Sequence, residues 1–165
     1  MTDNPASVID EAAFSVRRTI RIAAPVDKVW RAVTEPEHIS RWFGQVVLDG
    51  AGAGATGTIT FPEFGVVPLR LEAVDAPRMV SYRWGNADSA GRLPDAIDDR
   101  STVFTFTLEE VPDGTRLTVV ETGFDLTSDP AANMADHAEG WVLELDKLVA
   151  LLEGSEGSDG SEGAA

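Results

Sequence analysis

The stretch PAANMADHAEGWVLELDKLVALLEG, residues 130–154, decides how this chain folds. Its Met134, Ala138, Trp141, Leu145, Leu148 and Leu152 step by 4, 3, 4, 3 and 4, which lines one apolar stripe along an α-helix. Val142 and Val149 widen that stripe. Asp129 and Pro130 mark a helix start and Gly154 a stop. The spacing predicts a helix over about 130–153, roughly 35 Å long at ~1.5 Å per residue. Burying each large side chain of the stripe is worth about 1.5–3 kcal/mol. The helix must therefore lie along a large apolar face supplied by the rest of the chain.

That face is a sheet. Phe14 to Ile22, FSVRRTIRI, alternates: Val16, Ile20 and Ile22 share one side, with Arg17, Thr19 and Arg21 on the other. Six further strand-like runs follow: 45–49, 57–61, 66–74, 79–84, 101–110 and 115–124. PDGT at 112–115 places Asp-Gly between two alternating runs, a strong hairpin signal. Asp75-Ala76-Pro77 marks another turn, and Pro68 points to a strand edge or bulge. Consecutive hairpins imply an antiparallel sheet with one wet face and one dry one. Between the first strand and the rest lies KVWRAVTEPEHISRWFG, 28–44. Val26, Val29, Trp30 and Val33 share a helical face, Pro36 ends that helix and opens a second, and Ile39, Trp42 and Phe43 share its side. The expected class is α+β.

The 165 residues suit one domain, expected over 13–153. Residues 1–12 are expected to be flexible. The tail 154–165, acidic and Gly/Ser-rich, is expected to be disordered. With no cysteine there is neither disulfide nor thiolate chemistry. No apolar run approaches membrane-spanning length, and the start lacks the pattern of a secretion signal, so a cytoplasmic location is expected. The formal net charge of −15 makes this an acidic protein. Such a field repels phosphate backbones and anionic lipid, so neither nucleic acid nor membrane is an expected partner.

In its order of strand, two short helices, six strands and a long C-terminal helix, the chain resembles the helix-grip fold (SRPBCC, START-like, birch-pollen-allergen-like). There a curved seven-stranded antiparallel sheet wraps the last helix. Within that superfamily, APVDKVWRAVTEPEHISRWF (24–43), LEAVDAPRMVSYRW (71–84), FTFTLEEVPDGTRLTVVETGF (104–124) and HAEGWVLELDKLVALLE (137–153) resemble the activator of heat-shock-protein-90 ATPase homologue-like family. The segment Gly85–Arg100 and the acidic tail depart from that pattern. The resemblance implies an internal hydrophobic cavity that binds a small apolar or aromatic ligand. It leaves two alternatives: co-chaperone-like action on a chaperone through the outer surface, or a cyclase- or hydrolase-type enzyme using the same cavity. The protein is expected to be a monomer or homodimer.

Candidate ligand contacts are the aromatics that could converge on one interior: Trp42, Phe43, Phe61, Phe64, Tyr82, Trp84, Phe104, Phe106 and Trp141, joined by His137 and Leu145. Tyr82 and Trp84 can each offer a hydrogen-bond donor. No catalytic constellation stands out; the candidates for an acid or base are Glu121, His137 and Tyr82. Glu121 shares parity with Leu117 and Val119 and should face inward, where a lone carboxylate is costly. It could be a pocket acid, a partner of an inward arginine such as Arg18, or a rim residue. His137 could be a partly exposed helix-start histidine or a pocket group. His38 sits among polar neighbours and reads as a surface residue. The two histidines are 99 positions apart and in no ligand pattern, so no metal or other cofactor is expected. GAGATG at 52–57 matches G-x-G-x-x-G, but a strand-like run follows where a dinucleotide site needs a helix. It reads as a turn. Gly85–Arg100 is long for a connection and reads as a mobile flap.

Overall fold

The computed structural model describes residues 4–154 in full and, beyond them, only the backbone of the last helix as far as Glu162. The acidic tail expected to be disordered therefore lies, from residue 155 on, outside the fully described residues. In chain order the elements are β1 (Val8–Asp10), β2 (Ser15–Ile22), α1 (Val26–Thr34), α2 (Pro36–Ile39), β3 (Gln45–Asp49), β4 (Thr56–Phe61), β5 (Gly65–Asp75), β6 (Met79–Trp84), β7 (Thr102–Val111), β8 (Gly114–Thr122), a 3₁₀ turn (Phe124–Leu126) and α3 (Pro130–Glu162). The strands form one open antiparallel sheet in the order β1-β2-β8-β7-β6-β5-β4-β3. The helix-grip architecture is thus present, with an eighth, three-residue strand added at one edge. That strand arises in the N-terminal segment expected to be flexible: Val8 pairs with Arg17 and Asp10 with Ser15.

Strand alternation puts Val16, Ile20 and Ile22 of β2 and Leu117 and Val119 of β8 on the inner face. Phe104, Phe106 and Leu108 of β7 and Val80, Tyr82 and Trp84 of β6 continue it. Register aligns Val16, Glu121, Phe104, Tyr82 and Leu71 as one row across five strands, apolar but for a single carboxylate. Helix α3 lays Met134, Trp141, Leu145, Leu148 and Leu152 onto this face, all of them buried.

Two glycines record close approaches. A Cβ on Gly57, in β4, would lie 1.8 Å from the Val47 carbonyl oxygen of β3. The G-x-G-x-x-G match therefore ends in a strand crossing, not a nucleotide loop. On Gly114, which closes the β7–β8 hairpin, a Cβ would come within 2.1 Å of the Ile22 carbonyl oxygen. Pro68 sits one residue beyond the last β5–β6 pair, Leu69 with Trp84, where a missing N–H interrupts no ladder bond between those strands.

The corner at Pro36 explains part of the interior. A helix leaves its last carbonyls without partners. Continuing α1 would bring the residue-36 and residue-37 amides to the carbonyls of Ala32 and Val33; proline has no N–H and turns the chain away. Trp42 Nε1 donates to the Ala32 carbonyl instead, at 2.8 Å, and Tyr82 Oη to the Val33 carbonyl, at 2.7 Å. Both rings are thereby fixed over the core by the polar needs of a helix end.

Candidate functional site

Phe43 stands at the centre of a ring cluster beneath α3. Its centroid lies 4.8 Å from Trp42, 5.5 Å from Trp141, 5.6 Å from Trp84 and 6.0 Å from Phe104. Trp84 packs 4.5 Å from Phe104, and Trp141 closes the set at 5.2 Å from Phe104 and 5.8 Å from Phe106. Tyr82 stacks on Phe104, and Phe61 meets Phe43 edge-on at the margin. Leu145 is fully buried on the same stripe of α3 as Trp141. The one expected member left out is Phe64, 75% exposed. It sits in the β4–β5 turn past the end of the sheet and touches only the rim of the cluster, through Phe61.

The rings do not line a ligand-sized cavity. The void between Val33, Ile39, Trp42, Phe43, Tyr82 and Phe104 measures about 10 Å³, room for one water at most. The expected internal cavity is closed because edge-to-face and stacked rings from α2, the sheet and α3 fill it.

Within this apolar mass sits one polar constellation. The Glu121 side chain is fully buried, inward as its parity requires. Its Oε1 accepts from Trp141 Nε1 at 2.9 Å; its Oε2 accepts from Trp84 Nε1 at 2.9 Å and from Thr102 Oγ1 at 2.6 Å. His137 Nδ1 lies 2.9 and 3.0 Å from the two oxygens. Asn86 donates to Thr102 Oγ1 at 3.1 Å and to the Arg100 carbonyl at 2.8 Å, which ties the ends of the Gly85–Arg100 segment to the same network. Burial works to raise the Glu121 carboxyl, but the His137 charge and the hydrogen bonds from His137, Thr102 and Trp84 outweigh it and hold the group below its ordinary range. For His137 burial works to lower the imidazole; Glu121, and Asp136 more weakly, override it and raise it. The pair is a buried carboxylate–imidazolium ion pair with its acceptor positions filled. The carboxylate thus accepts from four side chains at once. Tyr82, raised by burial and bound to the Val33 carbonyl, is equally engaged.

Arg18 is inward, as strand parity implies, but it does not meet Glu121. Register places Arg18 beside Val119 and puts Val16 opposite Glu121. The guanidinium reaches instead to the carbonyls of Pro5, Trp141 and Val142 and to Asp146 Oδ1 at 3.0 Å. Thr102 and Asn86 join the site although no sequence reading singled them out. Thr102 carried a signal, since it shares parity with Phe104 and Phe106; Asn86 lies in a segment with no periodicity at all. His38 is a surface residue, 3.3 Å from Glu35 Oε1. Among the described residues no three His, Asp or Glu side chains gather to ligate a metal, and no helix is long and apolar enough to cross a membrane.

The fold has counterparts. A protein from Mesorhizobium loti, MLL2253, is 30% identical, with a TM-score of 0.71 over 84% of this chain and 96% of its own. DynU16, from the dynemicin biosynthetic locus, is 25% identical at a TM-score of 0.67, over 84% of this chain and 47% of its own. The Aha1 dimer from Colwellia psychrerythraea shares the fold at 22% identity and a TM-score of 0.64, over 84% of this chain and 96% of its own. No curated protein matches the chain. The family model described as Activator of Hsp90 ATPase homolog 1-like protein matches residues 23–153, from the start of α1 through the buried stripe of α3, and the chain belongs to that family.

Proposed function

We propose that this protein binds a small apolar or aromatic molecule in the ring cluster beneath α3, and that the closed interior is its empty, resting form. The observation that carries the reading is the Glu121–His137 pair. Taking two charges out of water costs several kcal/mol per ion, and a hydrophobic replacement is often as stable. Folding alone gives little reason to set an ion pair among Trp84, Trp141 and Phe104. Ligand sites, by contrast, are aromatic surfaces with a few fixed polar groups. A family relative drawn from a biosynthetic locus agrees with a small-molecule role. Room would come from the side nearest Gly85–Arg100, which is held by the Asn86 hydrogen bonds, the Gly85 N–H to the Pro68 carbonyl and the packing of Leu93 and Pro94, by rings swinging outward to open a minor-state pocket.

The test is a screen of lipids, aromatics and polycyclic compounds, read by melting temperature and tryptophan emission. Three of the four tryptophans, Trp42, Trp84 and Trp141, are buried in the cluster. A ligand at about 100 times its Kd adds about 2.7 kcal/mol, or about 5–10 °C for a domain of this size. Trp141→Phe should shrink that shift while the protein still folds. A screen that moves neither signal ends the reading.

A further inference from the structure

We propose that His137 Nε2 is the polar anchor of the interior and docks an oxygen acceptor, a carbonyl or a carboxylate, carried by a flat aromatic ligand. This rests on the binding reading above and adds the chemistry of the ligand's polar group.

The other ring donors of the cluster are already engaged. Trp42 Nε1 serves the Ala32 carbonyl and Tyr82 Oη the Val33 carbonyl. The indole N–H groups of Trp84 and Trp141 both serve Glu121. A ligand that recruited any of these would leave a buried carbonyl or carboxylate without its partner. Glu121 itself, ionised and surrounded by donors, has nothing to donate. Because that carboxylate only accepts, the proton of the His137–Glu121 contact sits on Nδ1. Nε2 is then the ring atom left for another molecule, and among the described residues its hydrogen bonds are all through Nδ1.

Position agrees with this role. Of the carboxylate's partners, His137 is the one that reaches solvent, with a side chain 21% exposed against 0% for Glu121. Its ring stands perpendicular to Trp84, 5.9 Å away, and to Phe124, 5.1 Å away. A flat molecule sliding in along Trp84 meets the imidazole at the mouth and the rings behind it. The charged groups around the imidazole are Glu121 from β8 and Asp136 from α3 itself; β6 and the 3₁₀ turn present the Trp84 and Phe124 rings. With both charges negative, the imidazole is held in its cationic form, and Nε2–H is a donor. It fits a carbonyl or carboxylate oxygen and repels an ammonium or amidinium group.

Three probes with one ring system test this: naphthalene, 2-acetonaphthone and 2-naphthoate. The oxygen-bearing probes separate a neutral acceptor from an anionic one, and at least one should bind about tenfold or more tighter than naphthalene, as a hydrogen bond to a charged donor implies. Long-range proton–nitrogen NMR reads the anchor directly in the unaltered protein. With two histidines in the chain, His38→Gln assigns the spectrum. The His137 Nε2 resonance should move with the tighter probe and stay with naphthalene. His137→Phe should bring all three probes to equal affinity; if that variant does not fold, the NMR result stands alone. Equal affinities in the unaltered protein, or an Nε2 resonance that no oxygen-bearing probe moves, overturn the anchor and leave the pocket reading in place. If none of the three binds, the anchor falls, and the pocket reading is decided by the wider screen.

Discussion

Glu121→Gln changes one oxygen to an amide nitrogen and almost nothing in shape, yet it should be among the most damaging substitutions in the protein. Glu121 Oε1 accepts from Trp141 and Oε2 from Trp84 and Thr102, while His137 lies near both. With the NH₂ in the Oε1 place the Trp141 indole N–H loses its acceptor; in the Oε2 place the NH₂ faces the Thr102 hydroxyl and the Trp84 indole, which keeps Thr102 Oγ1 at 3.0 Å; either way the imidazolium loses its counter-charge. Removing one member of a buried pair costs about 3–5 kcal/mol, which for a domain of this size lowers the melting temperature by about 6–20 °C. Calorimetry or circular dichroism measures it, with near-ultraviolet signals checking that the rings stay ordered below the transition. A loss under about 1 kcal/mol would refute the reasoning, since that is the scale of an ordinary exposed contact. The same pair shapes the pH dependence. Glu121 is lowered on folding, so its contribution is present above the unfolded value near 4.5 and is lost as pH falls through the folded value. His137 is raised on folding, so its contribution is full below the unfolded value near 6.5 and is lost as pH climbs through the folded one. The stability difference between the unaltered protein and Glu121→Gln should therefore be widest between those two values and narrow on both sides; a difference constant from pH 4 to 9 would contradict a charged pair.

Trp42→Phe and Tyr82→Phe each strip a donor from the carbonyl end of α1 while keeping a ring in the core. Each should cost about 1–2 kcal/mol, read as a lower urea midpoint at unchanged slope. Phe64→Ser, at a 75% exposed position, should change stability by no more than about 0.5 kcal/mol; a loss of several would place that ring inside after all.

Much of this architecture is legible in periodicity. The runs 45–49 and 79–84 are strands with those bounds, and the 4-3 stripe of 130–153 is the buried face of α3. Parity alone placed Glu121 and Arg18 inward. It could not pair them, because partners depend on how far one strand slides past another, and two residues of slide separate Arg18 from Glu121. Three-residue β1 has too short an alternation to read; it exists because β2 offers an open edge and Arg18 holds the Pro5 carbonyl beside it. Asn86 is anchored by Thr102 across a segment without pattern. The closed interior is not legible in the sequence. Whether rings from α2, β6, β7 and α3 leave a gap is a matter of volumes meeting in space, and a list of aromatics at inward positions fits a full core and a hollow one equally.

Arg18 gathers acceptors from both extremities of the polypeptide: the Pro5 carbonyl near its beginning and, near its end, the Trp141 and Val142 carbonyls with Asp146. Ser7 adds a second stitch at the Ala138 carbonyl. Whatever loosens the leading residues, whether proteolytic trimming, a bulky fusion or a shortened clone, also strips supports from the turn of α3 that presents Trp141 to the buried carboxylate. Pro5 and Ser7 thus brace α3 from outside the family match, and a version of this protein cut back to residues 23–153 would lose both stitches together with β2 and its Arg18.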